Sequence, residues 1–247
     1  MANIRHLPHA PIREAIIDFR VKAPDSFRPV AFHSLKHEIG SDYPRIDEQV
    51  GFEGQLKVEK DQLSQSARQT GLMGVVFRST NGENVAQFRI DGFTFSRLKP
   101  YTSWESIFPE AFRLWKLYEK IMVPEFIMRI AVRYINELRL PIQFGDFSEY
   151  LNSPPIVPPD LPKQVAGFLT RIVIPASEFG AEATITQAMV GPADPNFVNI
   201  ILDVDVHRSR QYEISDETIR SEFEQLRQLK NRIFFSSITE KTARLFE

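Results

Sequence analysis

SWESIFPEAFRLWKLYEKI (residues 103–121) and SDETIRSEFEQLRQLKNRI (residues 215–233) read as two versions of one helix. Ser103 aligns with Ser215, 112 positions on, and the matches continue at Glu105/Glu217, Ile107/Ile219, Glu110/Glu222, Leu114/Leu226, Leu117/Leu229 and Ile121/Ile233. The apolar members return at near-helical intervals, so each stretch predicts an amphipathic helix with one buried face. Each follows a tyrosine, Tyr101 or Tyr212. Thr102 and Glu105 have the spacing of a capping box, and Pro109, beyond the first turn, predicts a kink or a 3₁₀ turn.

Upstream of both helices, strands fall at similar offsets: residues 15–21 against 130–138, 55–60 against 167–172, and 85–90 against 197–202. Residues 14–21 alternate Ala15, Ile17, Phe19 and Val21 with Ile16, Asp18 and Arg20, the period of a half-buried strand. A helix over residues 27–39 should follow, capped by Asp25 or Ser26 and stopped at Gly40. Strands over 73–79, 85–90 and 93–98 are joined by Asn81-Gly82 and Asp91-Gly92, dipeptides that accept the backbone of tight hairpins. In residues 126–140, Met128, Ile130, Val132, Tyr134 and Leu138 share one face, and Arg129, Ala131, Arg133, Ile135, Glu137 and Arg139 the other. A Pro-rich connection at 152–163 follows a short helix near 147–151. Strands over 168–174, 183–190 and 197–207, a loop at 191–195, the second long helix to about 235 and a last turn at 239–246 complete the pattern.

The fold class is therefore α+β, with two tandem pseudo-repeats of strand, helix, antiparallel meander and long helix. The repeats occupy residues 1–124 and 125–247, as two units or as one continuous domain. The same order of elements occurs in the TATA-binding protein and in helix-grip folds, an architectural likeness that carries no function.

A chain of 247 residues with 43% hydrophobic content can bury a sizeable core. Lys plus Arg number 30 and Asp plus Glu 32, a net charge of −2 with a pI near 6.3, which argues against general affinity for nucleic acid or membrane surfaces. No apolar stretch approaches the roughly 20 residues that cross a bilayer, and no signal-peptide pattern opens the chain, so a cytoplasmic location is expected. The absence of cysteine fits that expectation and removes disulfides and thiolate chemistry.

Pro11-Ile12 with Glu14-Ala15, Leu98-Lys99-Pro100-Tyr101 leading to Trp104-Glu105, Arg133-Tyr134-Ile135-Asn136, and Pro154-Pro155 together carry a resemblance across most of the chain. On these motifs the sequence resembles a sporadically distributed, functionally uncharacterised family of bacterial and archaeal proteins of about 250 residues. The resemblance supports the element boundaries and implies no activity.

Phosphate loops, dinucleotide fingerprints and His-Glu-x-x-His motifs are absent, so no catalytic residue and no cofactor is implied. His33 and His37 have helical i, i+4 spacing and are weak metal candidates, with two solvated histidines as the simpler account. Asp203, Asp205 and His207 alternate along one strand face, as an acid/base row or simply as a solvent-facing surface.

The charged sheet faces are the stronger signal. Arg20, Lys57, Arg78 and Arg89 point outward in the first repeat, continued by Arg129, Arg133 and Arg139, while the second repeat offers Glu182, Asp203 and Asp205. Arg89, Arg129, Arg133 and Glu137 are the ligand-binding candidates, because guanidinium groups match carboxylates and phosphates. Three accounts compete: mutual pairing across strands, a polar interface with a protein partner or a second copy, and an anionic ligand. Trp104 and Trp115 read as packing residues, and Asn136 as a buried amide needing partners. The functional expectation is a non-enzymatic protein-interaction or ligand-binding protein, with a protein partner or homodimer. Its alternative is a nucleic-acid or anionic-ligand binder using the arginine-lined face, with nucleic acid the less favoured and no membrane partner.

Overall fold

The computed structural model describes residues 1–59, 62–141, 146–162, 164–191 and 196–247, with side chains for all of these except 52–70. Nine strands form one antiparallel sheet: β1 (Ile12–Lys22), β2 (Arg45–Glu59), β3 (Gln62–Arg78), β4 (Asn84–Arg89), β5 (Gly92–Leu98), β6 (Phe126–Pro141), β7 (Leu169–Ala176), β8 (Ala181–Val190) and β9 (Phe197–Tyr212). Their order is β2-β3-β4-β5-β1-β6-β9-β8-β7, so the first strand of the chain lies at the centre. Among the described residues four α-helices accompany it: α1 (Lys36–Ile39), α2 (Trp104–Met122), α3 (Asp216–Ser237) and α4 (Glu240–Arg244). The fold is α+β, as the pattern of periods predicts, and among the described residues no helix is long and apolar enough to cross a membrane.

Phe19 of β1 shows how the two long helices share one core. Its ring stacks on Trp115 of α2 with centroids 4.0 Å apart and lies 4.9 Å from Phe223 of α3. Ala15, Ile17, Phe19 and Val21 are all buried on this side, together with Ile130, Val132, Tyr134 and Leu138 of β6. The opposite sheet face carries the charged positions, which is the alternation a half-covered antiparallel sheet requires.

Several local readings need correction. Residues 29–35 (Pro29–Leu35) form a 3₁₀ helix, α1 is only four residues, and neither Asp25 nor Ser26 caps it; the position before the turn is Arg28, without a side-chain cap. The cap of α2 is Ser103, exchanging hydrogen bonds with Ser106, so the box expected from Thr102 and Glu105 is displaced by one position. Pro109 sits inside α2 without ending it. A register shift between Ile127 and Arg129 turns Met128 out to solvent at 41% exposure and buries Ile127 in its place. Strands β2 and β3 begin much earlier than the sequence pattern suggested, since residues 45–54 and 62–72 lack a consistent apolar period. The loop expected at 192–195, the side chain of Lys57 and part of the Pro-rich connection lie outside the described residues.

The Asp91-Gly92 hairpin forms between β4 and β5 as expected. Gly92 has φ +156°, and a Cβ there would stand 2.0 Å from the carbonyl oxygen of Phe19, so the close approach of β1 demands glycine. At the other hairpin, Gly82 takes φ +74°, the left-handed region that glycine enters without strain.

Candidate functional site

The outward face of the sheet brings most of the predicted charged residues together. Strand pairing sets Thr94, Asp18, Ala131 and His207 in one cross-strand row and Ile16, Arg133 and Asp205 in the next. Asp18, only 7% exposed, accepts from Thr94 Oγ1 at 2.6 Å, Arg129 Nη1 at 3.1 Å, Arg20 Nε at 3.2 Å and Arg89 Nη2 at 3.5 Å. Arg89 also reaches Asp91, Arg20 pairs with Asp91, and Arg129 reaches Asp205 at 3.5 Å. Arg133 forms a fork on Asp203 at 2.6 and 2.9 Å. Arg89, Arg129 and Arg133 thus line one groove of about 440 Å³, and each already has a carboxylate. Glu137 does not join them; it stands further along β6, beside the arm residues Pro11 and Arg13 and beside Arg139.

On β9 the row Asp203, Asp205 and His207 is real but not uniform. Burial raises the Asp205 carboxyl above its ordinary range, although Arg129 opposes the shift. Burial, reinforced by Arg129, lowers the His207 imidazole. Asp205 Oδ1 and His207 Nδ1 are buried without a hydrogen-bond partner among the described residues.

His33 and His37 do not share a helical face, because His33 lies in the 3₁₀ turn, with three residues per turn, and its Nε2 meets Glu48 at 3.1 Å. Among the described residues no group of three or more His, Asp or Glu is placed to hold a metal ion.

A second site was not named by sequence reasoning. The chain's first ten residues cross the molecule: the Ala2 N–H donates to Phe235 and Ile238, Arg5 bridges Glu240 and Glu247, and the His9 N–H donates to Phe246. Beneath this arm lies a pocket of about 290 Å³, bounded by the start of α2 and the second half of α3. That volume is near the lower end of the roughly 300–1,000 Å³ usual for small-molecule sites.

Lys230 of α3 lines this pocket and is buried. Its Nζ donates to Asn231 Oδ1 at 2.6 Å and stands 3.7 Å from the centre of the Tyr134 ring, a cation–π geometry. Among the described residues it has no carboxylate partner, and burial, with repulsion from Arg227, lowers the amine to about 7. Arg227, one turn earlier, is held by Glu105 at 3.0 Å and by Glu224. Tyr101 lines the pocket and its hydroxyl meets that of Tyr134 at 3.2 Å. Burial raises both phenols, so both remain protonated at neutral pH. Asn136 is satisfied structurally, donating to the Tyr134 and Leu202 carbonyls.

The signal for Lys230 was present in the helix. Phe223, Leu226, Lys230 and Phe234 are spaced by three, four and four, which puts the lysine in the apolar stripe. Trp104 and Trp115 are core residues, as expected, although Trp104 also borders the pocket. No protein-family model matches this chain, and no curated protein matches it.

Proposed function

We propose that this protein binds a small organic anion in the pocket beneath its amino-terminal arm, with Lys230 as the principal recognition group. The observation that carries the reading is a buried amine at a pocket wall with no carboxylate among the described residues to neutralise it. An anion would supply the missing charge, and the first turn of α2, whose backbone N–H groups carry partial positive charge, lies at the same wall. The arginine-lined sheet face supports an anionic ligand or nucleic acid less well, since Arg89, Arg129 and Arg133 are each matched by a carboxylate.

Thermal melts in the presence of short carboxylates and inorganic phosphate test the proposal. A bound anion at 100 times its Kd should add about 2.7 kcal/mol of stability. Equal stabilisation of wild type and Lys230→Met, or none in wild type, overturns it.

A second reading, a docking edge for another protein strand or a second copy, is supported by β7. Among the described residues this strand pairs only with β8, and Leu169, Ile172, Val173 and Ile174 are exposed along it. We propose further that the two halves of the sheet are a duplication. What supports it is that β1 neighbours β5 as β6 neighbours β9, each meander then running outward from the centre, with a long helix ending each half. On this proposal the halves would follow a TATA-binding-protein-like order, with a mixed-charge outer face in place of a basic one.

A further inference from the structure

We infer that Lys230 is a covalent capture residue: its amine condenses with the carbonyl group of a small 2-oxo acid held in the pocket under the arm. The inference rests on the anion-binding reading and deepens it by naming the ligand class.

Geometry supplies the first requirement, an amine kept from ion pairing. The charged and titratable groups near Lys230 are Arg227 on its own helix, Glu105 at the start of α2, Arg5 and His6 on the arm, and the phenols Tyr101 and Tyr134. Glu105 is engaged by Arg227, and Arg5 by Glu240 and Glu247, so the carboxylates of the neighbourhood are spoken for elsewhere. The aromatic ring of Tyr134 stabilises the ammonium weakly compared with a carboxylate, and an apolar, desolvated wall favours the neutral base. At an ordinary lysine value the neutral fraction near pH 7 is of order one in a thousand; a buried amine with a value near 7 is about half neutral. Nucleophilic lysines that form imines are activated in this way.

The second requirement is a ligand whose carbonyl reaches Nζ while its charge is also matched. A 2-oxo acid sets the two groups on adjacent carbons. Arg227, three residues before Lys230 and therefore on the neighbouring turn of the same face, borders the pocket alongside it. Because Arg227 is held by Glu105 and Glu224, the carboxylate would lie toward the backbone N–H groups in the first turn of α2, with the carbonyl carbon at Nζ.

The chemistry closes without an oxidant or reductant. The Nζ lone pair forms a bond to the carbonyl carbon and the C=O π pair moves to oxygen. That oxygen takes up a proton as nitrogen loses one, giving a carbinolamine. A second proton transfer to the hydroxyl lets it leave as water while the nitrogen lone pair forms the C=N bond. The two amine hydrogens and the carbonyl oxygen thus depart together as water. Tyr101 lines the pocket with a protonated hydroxyl linked to that of Tyr134, and this pair can pass the proton between nitrogen and oxygen.

Pyruvate with cyanoborohydride tests the imine, with lactate as the carbonyl-free match. Reduction should leave N-carboxyethyl-lysine, which peptide mass spectrometry should place at Lys230 in wild type. Lys230→Arg, which keeps the charge, and Lys230→Met, which keeps the bulk, should both lose that adduct while retaining a cooperative melt. The labelling rate should rise through pH 7 and level off above it. Labelling only at exposed lysines, or at an unchanged total rate in both variants, overturns the inference. If lactate stabilises the protein but pyruvate leaves no adduct at Lys230, the anion site stands and the imine falls. If the adduct forms at Lys230 while lactate gives no stabilisation, the imine stands and the simple anion site falls.

Discussion

The Lys230 amine stands 3.7 Å from the centre of the Tyr134 ring and donates to the neutral Asn231 amide oxygen, so among the described residues α3 and β6 set no carboxylate against it. Above about pH 7 the folded protein holds the neutral amine, whereas the unfolded chain holds the ammonium up to the ordinary lysine range. Between about pH 7 and that range the unfolded state binds the extra proton, and stability rises with pH. Below about pH 7 both states are protonated and the full cost of burying the charge is felt, on the order of 4 kcal/mol. Lys230→Met should be more stable than wild type by about 2–4 kcal/mol at pH 6, with the margin shrinking as pH approaches 10. Urea unfolding at several pH values measures this, and a margin independent of pH would contradict it.

Asp18 is the common acceptor of three guanidinium groups on the outer sheet face. Asp18→Asn leaves that cluster with an excess of positive charge and should cost about 2–4 kcal/mol in denaturant unfolding. Added phosphate should recover part of the loss in the variant and little in wild type, because in the variant three guanidinium groups of this cluster are left with only Asp91 and Asp205.

Glu222 of α3 is buried and receives Arg208, Arg210 and the Tyr212 hydroxyl from β9. Arg208 is itself only 5% exposed, with its Nε on the Phe179 carbonyl. Glu222→Ala strands a buried guanidinium and should cost about 3–5 kcal/mol. Paired changes at Glu222 and Arg208 should cost less than the sum of the single ones, which a double-mutant cycle would register.

The exposed edge of β7 should be read by association. Sedimentation across a concentration series should show wild type associating and Ile172→Lys remaining monomeric, since a charge on an edge strand opposes strand addition. Wild type that stays monomeric throughout would remove self-pairing through β7.

Much of this architecture can be read before any coordinate. The alternation at Ala15–Val21 and Ile130–Leu138 reports a real buried face, because a strand with one covered side must alternate. The helices were legible for the corresponding reason at a period near 3.6. What escaped was decided by tertiary contact. Met128 has the right position and chemistry to be buried, yet a bulge rotates it outward; Ser103 captures the cap that Thr102 could have made. Arg89, Arg129 and Arg133 were visible, but Asp18, Asp203 and Asp205, which pair with them, sit 70 or more positions away, so charge alone could not tell a binding face from an internally paired one. The pocket needed the arm, the start of α2 and α3 to be assembled, and no single segment records that meeting.

The central place of β1 also has a consequence for biosynthesis. As the chain leaves the ribosome, β1 can find β5 within the first hundred residues, but its other edge is left without hydrogen bonds until β6 appears, and Phe19 lacks Phe223 until α3 is made. The amino-terminal half thus emerges with an unsatisfied strand edge beside an uncovered aromatic surface. That interval gives chaperone capture, or wrong pairing at the free edge of β1, its opportunity.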